Sequence, residues 1–544
     1  MSLTKKLIRG LRRLASQLPP DPRLAPLLAL RREQLPLAKV DVRPGSLAGR
    51  VVAVQGVEDP IFYGLLATLA VDLKDAVGIQ PWLLQVRSIN GAIGTGVAAQ
   101  FARSWPVTAL FNAQWHRANA DVMAGVAYRS GGWQSPLSRL RGARAGRALQ
   151  QRLQLQGGLT DLCIDGILVG DLVIDSYLRF RPAATVDLAD PFLALLLTQM
   201  LRDVALAQAW FARAQPALYL SSYSTYIEHG VAVRVALARG IPVRVFGNLV
   251  TFGKRLSTND SYHATNGGAY RDIAESLAEP GPALARAKEL LESRLGGQID
   301  HATSYMRQSA YVPSGEPVPA EVRGAVVVFL HDFFDSPHVY ADLVFDDFWQ
   351  WICCTVQTLT EAGIPFFLKP HPNQIAASVA VLNQLGEQFP SVRLLSTRIT
   401  NRQLSEAGMG AGVTVYGTVG HELAYLGVPV ICCARHPHHA FDFCRTARSV
   451  AEYQGMLRQP FEFPLDRDAM RHQALQFYYA HNLHGTTEVL ALRTRFGELF
   501  KAGNDPSAPP EALARSLADL RAESAWTEFV QELIQDMHSA PRRG

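Results

Sequence analysis

The chain has 544 residues, 48% hydrophobic and 19% charged, with a formal net charge of +5. That length supports more than one hydrophobic core, so two domains are expected. The charge balance is mild, and no basic stripe interleaved with aromatics runs beyond the first turns, which argues against nucleic acid as a partner. The six cysteines include Cys353-Cys354 and Cys432-Cys433, both in apolar segments without Cys-x-x-Cys spacing, and read as reduced thiols of a cytoplasmic protein. No apolar run of roughly 20 residues and no signal-peptide core stands out, so the chain is expected to be soluble or peripheral.

Leu3, Leu7, Ile8, Leu11, Leu14 and Leu18 recur at helical spacing, with Lys5, Lys6, Arg9, Arg12 and Arg13 opposite. This basic amphipathic pattern (residues 1–18) fits either packing on its own domain or attachment to an anionic membrane, on the inner face of the cytoplasmic membrane. Residues 24–46 read as a connector with a short helix. Val51 to Val54 is a strand, and Asp59-Pro60 opens a helix with a cap and a pre-set first position. Further strands are expected at Trp82 to Val86, Val107 to Phe111, Cys163 to Val169, Ala217 to Leu220 and Val243 to Phe246. They alternate with helices at Pro191 to Gln208 and Tyr226 to Ala238, which predicts a parallel sheet with covered faces. Gly240-Ile241-Pro242, Gly363-Ile364-Pro365 and Gly427-Val428-Pro429 repeat one syntax: glycine ends a helix and proline opens a strand.

Asp171 follows Gly170 at an expected strand end, with Asp175 one turn later. Either carboxylate would serve as a base toward an acceptor hydroxyl, Asp171 first; the alternative is a helix cap and a surface ion pair. The hydroxyl-rich turn Ser221 to Gly230 would contact acceptor or satisfy itself. Pro280 to Pro319 reads as the interdomain connector. The second domain opens with a strand at Ala325 to Leu330 and the loop His331-Asp332-Phe333-Phe334-Asp335-Ser336-Pro337, then a helix from Asp346 to Glu361. Phe366 to Leu368 is a buried strand stopped by Pro370 and Pro372, which leaves Lys369 and His371 at its carboxyl end, where an ammonium beside an imidazole suits a phosphate. Val413 to Ile431 reads strand, glycine turn, helix, strand. Gly417, Thr418 and Gly420 lie at the turn, Thr418 near a helix start that attracts an anion, followed by His421 and Glu422. His436-Pro437-His438-His439 invites a metal reading, set aside because no carboxylate or thiolate stands at ligand spacing, so no metal is expected. Ala469 to Phe500 is helical, Asn504 to Pro510 a linker, and Glu511 to Met537 a terminal helix.

Lys-Pro-His-Pro at one strand end, followed about forty residues later by a small-residue turn, a helix, Glu and Gly-Val-Pro-Val-Ile, resembles the nucleotide-sugar domain of GT-B glycosyltransferases. The likeness is greatest to bacterial surface-polysaccharide transferases of the Kdo and sialic acid type, and it runs from about Ile164 to Asn482. The resemblance implies an α/β fold of two Rossmann-like domains facing a cleft, with a C-terminal helix crossing back. The implied divisions are residues 1–46, an acceptor domain 47–320, a nucleotide-donor domain 321–465, crossover helices 466–503 and a tail 504–544. It implies metal-independent, inverting transfer without a cofactor, from a nucleotide-activated sugar to a lipid-linked or oligosaccharide acceptor. His371 and Asp171 or Asp175 would be catalytic. Lys369, His371, Pro372, Gly417, Thr418, Gly420, His421, His331 and Asp335 would hold the donor, and Glu422 its ribose. The turn Gly417-Thr418-Val419-Gly420 has one hydroxyl where that family has a Ser/Thr pair, which leaves the nucleotide open between a CMP-linked sugar and others. A CDP-linked polyol-phosphate transferase and a non-catalytic binding subunit are the rival readings.

Overall fold

Two sheets organise the chain. The computed structural model describes residues 21–33, 47, 49–56, 59–85, 122–129, 136–181, 183–248, 250–264, 267–277, 279–299, 311–312, 315–371 and 376–540. The basic N-terminal pattern, the strand expected at residues 107–111 and Pro372 lie outside these.

In the first half, β1 (Val51–Gly56), β2 (Gln80–Gln85) and β3 (Gly125–Arg129) are followed by a small hairpin, β4 (Cys163–Ile164) and β5 (Ile167–Leu168), and then by β6 (Leu218–Ser221), β7 (Val243–Val245) and β8 (Lys254–Leu256). The sheet runs β3-β2-β1-β6-β7-β8, parallel except for β8. The second sheet joins β9 (Val326–Phe329), β10 (Phe366–Lys369), β11 (Ala411–Val413), β12 (Val430–Cys432) and β13 (Cys444–Thr446) in the order β10-β9-β11-β12-β13, all parallel. Strands covered on both faces need continuous apolar runs, and Val326, Val327 and Val328 are all fully buried. Gly240, Gly363 and Gly427 adopt φ of +69°, +66° and +80°, the left-handed turn that ends each helix before the next strand. The fold is α/β, two Rossmann-like domains facing a cleft, a GT-B-like arrangement.

Three expectations are corrected by the packing. Cys163 to Val169 is no sheet strand: Asp165 and Gly166, at φ +50° and +79°, turn it into an antiparallel hairpin. The helix Pro280–Leu295, read as connector, buries Ala287, Leu291 and Leu295 in the core of the second domain, together with Tyr270 and Tyr311. The first domain therefore ends near residue 264, not at 320. The long C-terminal pattern breaks between the helices Arg467–Asn482, on the second domain, and Thr487–Asn504, on the first. Pro191–Ala214 is long and apolar enough to cross a membrane by length and composition. Here it packs as a core helix, with Leu193, Leu197, Met200, Val204 and Phe211 against β6 and β7 residues.

The tail forms two helices, Glu511–Ala522 and Ser524–His538, whose Leu517, Trp526, Leu533 and Met537 enter the first-domain core. They are fastened by Asp72 of the helix Pro60–Val77, whose buried carboxylate accepts from Arg521 Nη2 at 2.8 Å and from Trp526 Nε1 at 2.9 Å. Asp72→Ala strands both donors and should cost about 2 kcal/mol of unfolding free energy in a urea titration. Asp75→Ala, at an exposed position of the same helix, should leave the midpoint unchanged; equal effects would show that the fastening contributes nothing specific.

Candidate functional site

In open α/β sheets, ligands sit beyond the carboxyl ends of the strands, where the strand order reverses. The reversals fall between β1 and β6 in one sheet and between β9 and β11 in the other. A cavity of about 670 Å³ lies where the two edges meet. The first domain gives it Tyr223, Thr225 and Tyr226 after β6, Asn248 after β7, and Arg179 from the helix Gly170–Phe180. The second gives His331, Asp332 and Asp335 after β9, Lys369 and His371 after β10, and Thr414, Gly417 and Thr418 after β11.

Lys369 is the decisive side chain. It is 6% exposed, and its ammonium makes no hydrogen bond or ion pair with the described residues. Burial pulls its pKa down to about 8, against the opposing pull of Glu422. A buried cation left without an anion is costly, and such sites are commonly completed by a ligand. His371 is lowered by burial, opposed by Asp332 and Asp335. His331 is held neutral by burial, its pKa down to about 3. Its Nε2 lies 3.1 Å from Thr414 Oγ1, and its ring stacks on Phe348 and tilts against Tyr416. Asp335 is exposed in the cavity wall; the dense packing around it raises its pKa, with Arg179 pulling the other way.

Other expected residues take different places. Glu422 is fully buried and absent from the cavity wall. Its Oε1 pairs with Arg294 Nη2 at 2.8 Å and accepts from Tyr311 at 2.6 Å, and its Oε2 accepts from Asn401 at 2.8 Å. Lying one turn inside the helix Val419–Tyr425, it orients three wall residues instead of meeting ribose directly. Thr418 starts that helix without a side-chain cap; its hydroxyl receives Arg294 Nη2 at 3.4 Å. A helix of seven residues has little dipole, so the point charge of Lys369 dominates. Gly420 serves packing: an added Cβ would lie 2.3 Å from His438 Nε2. His421 lines the cavity, but both ring nitrogens lack partners in an apolar setting and burial drives its pKa far down.

Asp171 and Asp175 do not reach the cavity. The helix begins at Gly170, which turns both carboxylates inward. Asp171 is clamped by Arg234, with two contacts of 2.5 Å; burial raises its pKa, and the guanidinium outweighs that and holds it below the usual carboxylate range. Asp175 crosses to the second domain, its Oδ1 2.8 Å from His338 Nδ1. The hydroxyl-rich turn divides: Ser221 and Ser222 satisfy Gln55, while Tyr223, Thr225 and Tyr226 face the cavity. Thiols do stand near His438, because pairing of β12 with β13 brings Cys432 and Cys444 beside it. Arg294, Tyr311 and Asn401 carry no local signal in the sequence, because their segments look like connector and surface helix, and only Glu422, more than a hundred residues beyond Arg294 and Tyr311, gives them a purpose.

No protein-family model matches the chain, and neither does any curated protein. Among solved structures it is similar to KpsC of Thermosulfurimonas dismutans, a beta Kdo 2,4 transferase, at 16% identity over 49% of this chain and 79% of that one, with a TM-score of 0.28. It is similar also to UDP-GlcNAc 2-epimerase from Neisseria meningitidis bound to UDP-GlcNAc (10%; 78% and 94%; TM-score 0.21) and to the glycosyltransferase VinC in complex with DTDP (14%; 90% and 99%; TM-score 0.20).

The Lys369 charge is present below its pKa of about 8 and lost above it. Affinity for a phosphate-bearing anion such as inorganic pyrophosphate should therefore fall as pH rises through that value, by up to about tenfold per unit. Calorimetric titration from pH 7 to 9.5 checks this; Lys369→Arg should flatten the dependence, and a flat wild-type profile would remove Lys369 from the anion site.

Proposed function

We propose that the chain is a glycosyltransferase of surface-polysaccharide synthesis, moving a sugar from a nucleotide-activated donor to a lipid-linked or glycan acceptor with inversion. The observation that supports this most is the unpaired, buried Lys369 ammonium in a cavity shared by two switch points. Lys369, His371 and the Thr418 turn would hold the donor phosphate. Arg179 on the opposite wall adds a second cation, which favours an acidic sugar and hence a CMP-linked donor of the CMP-Kdo kind. As the acceptor oxygen attacks the anomeric carbon, the bond to phosphate breaks and its electron pair leaves with the nucleotide. Lys369 and His371 stabilise that charge, the work a divalent ion does elsewhere.

The base must touch the acceptor hydroxyl, and Asp171 and Asp175 are committed to other partners. Asp335 is a cavity carboxylate that feels both domains, Arg179 from one and His371 from the other. Its raised pKa suits proton abstraction. Asp335→Asn should lower turnover about a hundredfold or more without weakening nucleotide binding. His371→Ala should lower it about a hundredfold, on the order of 3 kcal/mol of barrier. Asp171→Asn should instead lower thermal stability by loosening Arg234, with turnover of the folded fraction retained. Incubation with CMP-, UDP- and CDP-linked donors tests the class: glycosyl transfer from a nucleotide sugar supports it, polyol-phosphate transfer from a CDP donor replaces it, and binding without release makes the chain a binding subunit.

Acceptors of this kind are membrane-bound, and the basic pattern of Leu3 to Leu18 gives the chain a means to stay near them on the cytoplasmic side. A chain beginning at Asp21 should keep activity on a soluble acceptor and no longer sediment with anionic vesicles; sedimentation equal to that of the full chain would discard the membrane role.

A further inference from the structure

Behind the cavity wall lies a cluster that the transfer reaction does not use. Cys432 ends β12, Cys444 begins β13, and His438 stands midway in the loop between them. The three are 0%, 7% and 1% exposed, and one ligand atom from each lies within 4.8 Å of the others. The register explains how they meet. Val430 pairs with Cys444 and Cys432 with Thr446, so the two sulfurs share one face of adjacent parallel strands, two residues out of step. Both cysteines are free.

The imidazole is the unusual member. Neither nitrogen of His438 has a hydrogen-bond partner among the described residues, although the residue is almost fully buried. One face stacks on Phe443 at 5.2 Å, and its Nε2 is turned toward Gly420, at the point where an added Cβ would also come within 3.3 Å of Cys444 Sγ. His436 stands beside it, ring centroids 3.9 Å apart; its Nδ1 likewise has no partner, and its Nε2 is fixed by Thr446 Oγ1 at 2.7 Å. Buried polar groups are satisfied as a rule, and an apolar pocket gives an imidazole no reason to stay polar and empty. Two sulfurs and an imidazole, with a second imidazole oriented by a hydroxyl next to them, are a donor set for a borderline-soft, tetrahedral cation.

We propose that Cys432, His438 and Cys444 bind a structural zinc ion, with His436 as the neighbour able to complete its coordination. Binding displaces the two thiol protons and leaves a Cys₂His set in which no electron is transferred. The ion would pin the loop 433–443, from which Pro437 and His438 reach the cavity wall. Its role is to hold that wall, apart from the anion site at Lys369, so the proposal stands whatever the transferred group is.

The test uses the full chain purified without chelator. Elemental analysis should find about one zinc per chain. After removal of the metal, Co²⁺ should restore it with a sulfur-to-cobalt charge-transfer band in the near ultraviolet and the visible bands of a tetrahedral ion. Cys444→Ser and His438→Gln should lose stoichiometric uptake, while Cys353→Ser, in the helix Phe348–Glu361, should retain it. Should the site variants fail to fold, the wild-type cobalt spectrum still decides. Absence of the sulfur band, uptake undiminished in Cys444→Ser, or a Cys432–Cys444 disulfide in the native chain would each overturn the proposal.

Discussion

A carboxylate sealed from water fixes the second domain's side of the cavity. Glu422 is charged at no exposed surface, so it persists only because Arg294, Tyr311 and Asn401 converge on it from three separate segments. Removing any one donor leaves a buried charge under-satisfied. That requirement places the helix Pro280–Leu295 on the second domain and sets the Arg294 guanidinium into the cavity wall. It also settles which cation is free to act. The charge of Arg294 is largely cancelled by Glu422, and Lys369 is left as the buried charge that a ligand must answer.

What could be read from the sequence was whatever is decided within a few neighbouring residues. Glycine-proline punctuation marks each crossing from helix to strand, because a left-handed turn and a fixed φ are local demands, and Lys369 and His371 follow directly from the strand that prolines bring to an end. The Asp59 cap is equally local: its carboxylate accepts from Ile61 N at 2.8 Å. Pairings across long stretches of chain were not legible. Asp171 looks like a base until Arg234, 63 residues on, takes both its oxygens. The helix Pro280–Leu295 has the composition of a connector, and nothing near it in the chain points to Glu422. Cys432 and Cys444 meet His438 only through strand register, which spacing alone does not reveal.

The two domains touch through polar groups. Asp175 meets His338, Thr160 donates to Asp346 at 2.5 Å, Thr185 donates to Asp347, and Ser336 donates to Tyr226 at 2.6 Å. Asp175, His338 and Asp347 are buried in this seam, so each is held by its partner across the domains instead of by solvent. Tyr226, at φ +59°, carries a bulky side chain in a left-handed backbone conformation at this seam and in the cavity wall. Strain of that kind persists where surrounding contacts over-determine it.

The tail helices that complete the first-domain core have a consequence for how a ribosome makes this protein. One face of the first sheet is covered by residues from Leu492 to Ala540, which are synthesised after the whole core of the second domain. The cores of the second domain draw on nothing beyond Leu483. The domain that is encoded second can therefore finish folding while the chain is still being extended. The domain encoded first waits with Val52, Phe62, Leu66 and Leu69 uncovered until residues 492–540 have left the ribosome, and through that interval it is the part of the nascent chain most in need of a chaperone.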